Sequence, residues 1–245
     1  MEMGEQELEE VDEIRYLGYI LQKNGSDEKH IQDRKRRAAI AMKKTWSVGE
    51  RTFKRDYKRR MRMFGALVES VALYGTEAWG WNIEERLDRV KRRYVRWLLG
   101  LDTTTPNYNL REECKIEEIR EKALKRAIRY EEKALESKKE LVKECIKERE
   151  RNWGKGQEGK RARKRKMRLE EAREGRTQGE AGDRQERMTA NQIIEERRKR
   201  ETEEREKRIR ESKYNRQYRN IAKGGLPKIS RRKDEMEGQK YSSKI

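Results

Sequence analysis

The sequence is poor in the residues from which a large core or a metal site is built. Its 245 residues include two cysteines, two prolines, two phenylalanines and one histidine, and only 32% are hydrophobic. Cys114 and Cys145 lie far apart and lack partner histidines, which excludes the common Cys/His zinc patterns. Two cysteines in so polar a chain indicate reduced thiols and an intracellular, reducing compartment.

Signals for membrane insertion or secretion are also missing. No apolar run approaches the roughly 20 residues that cross a bilayer, so we expect no membrane partner. The opening residues, 1–10, are acidic and do not resemble the basic cap and apolar stretch of a secretory leader.

Catalytic patterns are equally scarce. The lone histidine, His30, has no cluster of cysteines or carboxylates around it in the sequence, and we expect it at the surface. Six scattered aspartates are interpreted as solvated carboxylates or helix caps: Asp12, Asp27, Asp33, Asp56, Asp88 and Asp102. The sequence therefore predicts no catalytic residue, no metal site and no cofactor.

Charge is what the sequence has in abundance. Charged residues make up 46% of the chain, the formal net charge is +19 and the sequence pI is about 9.9. Such a surface favours polyanionic partners. All five tryptophans and both phenylalanines lie at or before position 153, so we expect one modest core in the first part of the chain.

The patterning predicts a mainly α protein in five parts. Residues 1–10 are an acidic, disordered lead-in, and 11–27 form a short strand or hairpin that ends at Asn24-Gly25, a pair suited to a tight turn. Residues 28–105 form a bundle of three helices, and 106–153 form one long charged helix. Residues 154–245 are a basic low-complexity tail, disordered or a solitary helix.

Apolar spacing of three and four residues defines the three bundle helices. The first carries Ile31, Ala38, Met42 and Trp46. The second carries Tyr57, Met61, Phe64, Val68, Val71 and Gly75. The third carries Ile83, Leu87, Val90, Tyr94 and Trp97, and Gly100 is placed to end it in a left-handed cap. The expected structural core comprises Trp46, Phe64, Val68, Tyr74, Trp79, Tyr94 and Trp97.

Two motifs carry a resemblance to a known family. The first is Leu17-Gly18-Tyr19 within the run 14–21, and the second is Leu-Tyr-Gly-Thr-Glu-Ala-Trp-Gly-Trp at 73–81. In that order they resemble the region just downstream of the catalytic palm in reverse transcriptases of non-LTR (LINE-type) retrotransposons, especially the insect elements. The resemblance covers roughly residues 11–150. The family's catalytic Tyr-x-Asp-Asp turn does not occur in these residues and would lie upstream.

The resemblance implies roles for two groups of residues. Leu17, Gly18 and Tyr19 correspond to the primer grip, a β-turn that presses the primer's 3′ end toward the palm. The helices that follow correspond to the thumb, which holds the template–primer duplex by its phosphates. The basic residues there that would contact phosphates are Arg34, Lys35, Arg37, Lys43, Lys44, Arg51, Lys54, Arg55, Lys58, Arg59 and Arg60.

Each of these assignments has an alternative. The first motif is also compatible with an ordinary edge strand in which glycine eases the twist. The cations also fit a solvated helix face, but basic residues greatly outnumber the acidic Glu50 and Asp56 between positions 34 and 62, which favours phosphate binding. For the aromatic motif at 73–81, a packing role is favoured over base stacking.

The sequence thus predicts a thumb-side fragment of such a reverse transcriptase that binds template–primer duplex or RNA without sequence preference and does not polymerise alone. The partner that this interpretation implies, besides nucleic acid, is a reverse-transcriptase palm supplied in trans. The rival hypothesis is a charged helical scaffold whose apolar stripes bind a partner helix. The basic run at 160–166 fits a nuclear import signal, which favours a nuclear location, or an RNA-binding tail.

Overall fold

The chain is mainly helical, as predicted, with one two-stranded antiparallel hairpin near its N-terminus. A computed structural model describes residues 10–54, 56–82, 84–154, 159–174 and 189–213. Arg55, Ile83 and the residues of the expected tail beyond 213 lie outside the described residues. Strands β1 (Glu13–Tyr16) and β2 (Tyr19–Gln22) pair with Tyr16 opposite Tyr19.

The hairpin turn consists of Leu17 and Gly18. Both have positive φ, 45° and 80°, as in the two-residue turns whose twist matches that of paired strands. The chain therefore reverses at Leu17-Gly18, before the Asn24-Gly25 pair is reached.

Ten α-helices fall within the described residues. They are α1 Glu28–Phe53, α2 Tyr57–Phe64, α3 Ser70–Ala72, α4 Thr76–Trp79, α5 Glu85–Leu99, α6 Asn107–Cys114, α7 Ile119–Leu135, α8 Glu140–Gly154, α9 Lys160–Glu174 and α10 Ala190–Glu211. A π-helical segment, Gly65–Glu69, joins α2 to α3.

The main core lies between α1, the α2–α4 segment, α5 and α7. Met42, Phe64, Leu87 and Tyr94 are fully buried in it. Helix α7 crosses α4 at Gly80, where an added Cβ would lie 2.5 Å from the carbonyl oxygen of Ala123. The bundle is therefore completed by a helix from outside the predicted range 28–105.

The second predicted helix is interrupted. Phe64 and Val68 are buried as expected, but beyond the π-helical segment Ala72 is buried in place of Val71 as the main inward residue. A π turn takes up one extra residue, so the buried positions move on by one. Gly75 leaves the helix altogether, with φ at +72°.

The single long helix predicted for 106–153 is wrong. The chain instead forms α6, α7 and α8, and Lys115, at φ 46°, ends α6. Leu110 and Ile119 are nine residues apart, so about two and a half turns of continuous helix would place them on opposite sides. The break at Lys115 allows both side chains to be buried.

The expectation of a disordered or solitary tail is wrong for α10. Ile193 and Ile194 of this helix are buried in a cluster with Trp81, Leu124 and Ile128. Residues 195–213 of the tail are almost entirely charged, but the two isoleucines just before them supply the apolar contact that docks the helix.

Candidate nucleic-acid interface

The hairpin tip is fixed to the aromatic motif 57 residues further along the chain. The Tyr74 hydroxyl donates a hydrogen bond to the carbonyl oxygen of Leu17. A Cβ added to Gly18 would lie 3.3 Å from that hydroxyl, so the absence of a side chain allows the close approach. Leu17 itself points away and is 77% exposed.

Beneath the tip, Tyr19 is held between α1 and Gly75. Its ring stacks on the His30 imidazole, with centroids 3.8 Å apart and planes 17° from parallel. An added Cβ at Gly75 would lie 2.7 Å from the Tyr19 ring. Gly75 is therefore required both for its left-handed backbone and for the space it leaves.

His30 is buried, which corrects its predicted surface position. Its Nδ1 accepts a hydrogen bond from the Ile20 amide at 3.3 Å, and its Nε2 lies 3.3 Å from the Tyr74 carbonyl oxygen. Since Nδ1 accepts, the proton sits on Nε2 and the ring is neutral. Burial, reinforced by the charge of Arg34, lowers the pKa of His30.

Asp27 lies at the same junction, where the hairpin meets α1 and the aromatic motif. It is also buried, contrary to the expectation of a solvated or capping carboxylate. Its two oxygens accept from the Tyr19 hydroxyl at 2.7 Å and from Asn82 Nδ2 at 2.9 Å. It stands at the N-cap position of α1, but its side chain makes no capping hydrogen bond there. The junction thus links both motifs through one hydrogen-bonded cluster.

Arg34 is buried, so its expected role as an exposed phosphate ligand is wrong. Its guanidinium contacts Asp33 at 2.5 Å and lies over the Tyr74 ring, 5.1 Å from the centroid. Asp33 also pairs with Arg36 and Arg37, at 3.1 and 2.8 Å. These arginines hold the pKa of Asp33 well below its usual range although burial opposes them.

Two of the predicted cations lie on the same side of α1 as Arg34 and the hairpin. Arg37 and Lys44 follow Arg34 by three and ten residues and are both exposed. We call the surface formed by the Leu17-Gly18 tip, Tyr74, Arg37 and Lys44 the grip face.

Lys35 and Lys43 are exposed on another side of α1. They precede Trp46 by eleven and three residues, and Trp46 contacts Trp97 of α5. The predicted set of phosphate ligands is therefore divided between two faces of the helix.

The remaining predicted cations lie at the far end of α1. Arg51 is about 25 Å from Arg34 along the helix axis. Lys54, Lys58 and Arg59 are exposed around the turn into α2, and Arg59 pairs with Asp56 at 3.4 Å. The Asp56 side chain accepts a hydrogen bond from the Arg59 amide and so caps α2, which agrees with the expected role of Asp56 as a helix cap.

Arg60 was expected to contact phosphates like its basic neighbours, but its burial shows that this expectation is wrong. It is buried over the Trp46 ring at 4.0 Å from the centroid, and it donates to Glu50 and to the Lys54 carbonyl oxygen. No sequence signal separates Arg60 from its basic neighbours, because its burial depends on the distant Trp46.

The aromatic core differs from the expectation at two positions. Phe64, Val68, Trp79 and Tyr94 are buried, and Trp46 is half-buried against them. Tyr74 and Trp97, however, are 42% and 39% exposed. The two residues therefore lie at the edge of the core, where part of each ring faces solvent.

A buried charge network holds α5 and α7 in place. Glu69 of the π-helical segment pairs with Lys91 at 2.6 Å and with Lys122. Asp88 is buried too, against expectation, and accepts from the Arg120 amide at 3.0 Å. Burial, together with the charge of Glu118, raises the pKa of Asp88 to about 7.

Among the described residues, no three side chains of His, Cys, Asp or Glu converge so as to hold a metal ion. The helices of the same ranges are all too short or too polar to span a bilayer. No protein-family model, curated protein or solved structure matches the chain.

Proposed function

We propose that this chain is the thumb-side part of a non-LTR retrotransposon reverse transcriptase and that it binds a template–primer duplex through the grip face. The observation that carries the proposal is the hydrogen bond from Tyr74 to Leu17. It joins the two motifs of the family resemblance, which are distant in sequence, into one structural unit. An ordinary edge strand has no need of such a built contact at its turn.

The chemistry of the grip face suits a sugar–phosphate backbone. A glycine at the tip lets a strand of nucleic acid approach the protein backbone closely. Arg37 and Lys44 follow along the same exposed side of α1, with Lys44 about 15 Å beyond Arg34. Arg37 shares the single carboxylate of Asp33 with Arg34 and Arg36, so this side of the helix keeps a net positive charge for phosphates. Contacts of this type give affinity without sequence preference. We assign binding, and no chemical step, to these residues.

Salt dependence tests the proposal. The full chain is titrated with a labelled RNA–DNA hybrid at several salt concentrations, and the wild-type affinity falls steeply as salt rises. Each phosphate contact contributes about −0.9 to the log–log slope, so the double change Arg37→Gln, Lys44→Gln flattens the slope by about two. The matched control, Arg126→Gln with Lys133→Gln, removes two exposed cations of α7 and leaves it unchanged. Equal slopes for all three proteins contradict the grip face.

One feature favours the rival scaffold function. Leu141 of α8 is 76% exposed and offers an apolar contact to a partner helix. Sedimentation with and without the hybrid separates the two functions. Self-association that does not respond to the hybrid favours the scaffold, whereas a hybrid-dependent shift of a single protomer favours the reverse-transcriptase thumb.

A further inference from the structure

Trp97 lies on a surface of the bundle that is separate from the grip face. Helices α1 and α5 run side by side, joined near their beginnings by the ion pair of Arg86 with Glu28. Near their ends, the rings of Trp46 and Trp97 meet edge to face, with centroids 5.5 Å apart at 69°. This contact holds the Trp97 indole in place and leaves 39% of the residue exposed.

Cations flank this indole on both helices. Arg93 precedes Trp97 by four residues on α5, and Lys43 and Lys35 occupy the matching side of α1. All three are exposed, and none pairs with a carboxylate among the residues that the structure describes. We call Trp97, Arg93, Lys43 and Lys35 the indole rim.

One acidic residue of α1, Glu50, lies close to this surface, because it follows Trp46 by one turn of the helix. Its charge is neutralised by an ion pair with Arg60 at 2.7 Å. The same Arg60 guanidinium covers one face of Trp46 at 4.0 Å, so the ring that supports Trp97 is itself fixed. The indole rim is therefore a rigid, exposed aromatic ring within a cationic surface.

We propose that the indole rim binds single-stranded nucleic acid, with a base stacked on Trp97 and neighbouring phosphates on Arg93, Lys43 and Lys35. Base stacking on a fixed aromatic ring flanked by cations is the general means of holding single strands without sequence preference. An apolar partner helix is a poor fit, because it would bury three unpaired cations. The inference rests on the proposed function only in that the same chain binds nucleic acid.

The test compares two probes on the full chain by fluorescence anisotropy: an oligothymidylate and the RNA–DNA hybrid. Because one stacked base is worth about 1–3 kcal/mol, Trp97→Leu weakens oligothymidylate binding about 5-fold or more and leaves hybrid binding unchanged. Trp97→Phe keeps most of the affinity. Arg93→Gln lowers the salt slope for the single strand by about 0.7, and the control Arg126→Gln does not.

The outcomes separate this inference from the proposed function. Loss of affinity for both probes in Trp97→Leu, or for neither, overturns the indole rim. Binding of the hybrid but not of the single strand also overturns it and leaves the grip face standing. Binding of the single strand alone contradicts the grip face and supports the rim. If circular dichroism shows that Trp97→Leu is unfolded, Arg93→Gln decides, since that side chain is exposed.

Discussion

Gly75 is needed beside the hairpin for two reasons: its backbone is left-handed, and a side chain would collide with Tyr19. Replacing it by alanine tests both. The residue has φ at +72°, and its Cβ would lie 2.7 Å from Tyr19 Cδ2 and 3.3 Å from His30 Nε2. Left-handed backbone costs a non-glycine residue about 1–2 kcal/mol. Overpacking against the stacked Tyr19 ring adds about 1–3 kcal/mol, so we expect the free energy of unfolding to fall by about 2–5 kcal/mol.

Gly100 provides the matched control. It caps α5 at φ +64°, and no atom lies within 4 Å of an added Cβ. Gly100→Ala therefore carries the backbone cost alone, about 1–2 kcal/mol. In a Tyr19→Ala background, Gly75→Ala should likewise cost only about the backbone part, because the Tyr19 ring that the new Cβ would contact has been removed.

Urea denaturation measures both costs, and hydrogen exchange at the Ile20 amide reports on the hairpin itself. That amide donates to His30 Nδ1, so displacement of Tyr19 should speed its exchange. If Gly75→Ala costs no more than Gly100→Ala, or if the Ile20 amide stays equally protected, the described docking of the hairpin is refuted.

Two further predictions concern buried charge. Because the folded pKa of His30 is lowered, its contribution to stability is complete above its unfolded pKa of about 6.5 and is lost as the pH falls, with a slope of up to about 1.4 kcal/mol per pH unit. Urea unfolding at pH values from about 7.5 to about 5 should show this slope in the wild type relative to His30→Asn, and equal slopes would argue against a neutral buried ring. Lys91→Met leaves Glu69 short of one buried partner and should cost about 3–5 kcal/mol, most of it recovered by adding Glu69→Leu. A denaturation cycle in which the second change recovers nothing would show that the pair is not coupled.

Periodicity predicted the parts of the fold that depend on local pattern. Leu87, Val90 and Tyr94 of α5 are buried at the expected spacing and the helix ends in a left-handed residue at Gly100, and Ile31, Ala38 and Met42 are likewise buried on α1. The π turn was not predictable from spacing, because inserting one residue changes which neighbour is buried without altering composition. The breaks between α6, α7 and α8 leave no signal in the sequence, because charged residues continue across them.

The grip face was only partly predictable, because its geometry depends on contacts between distant residues. Leu17 adopts positive φ, which is rare for a bulky residue, and the Tyr74 hydroxyl holds its carbonyl oxygen. His30 is buried because Ile20 and Tyr74 supply partners for both ring nitrogens. Arg34 looked like its basic neighbours in the sequence, yet Asp33 and Tyr74 bury it.

Photo-crosslinking tests the central claim most directly. An RNA–DNA hybrid carrying a photoreactive nucleotide near the primer's 3′ end is bound to the full chain, irradiated and mapped by mass spectrometry. The grip face predicts crosslinks at Leu17, Gly18 or Tyr74, with further crosslinks near Arg37 and Lys44 when the label is moved along the duplex. Crosslinks confined to α7–α10, or none at a hybrid concentration that saturates binding, would contradict it.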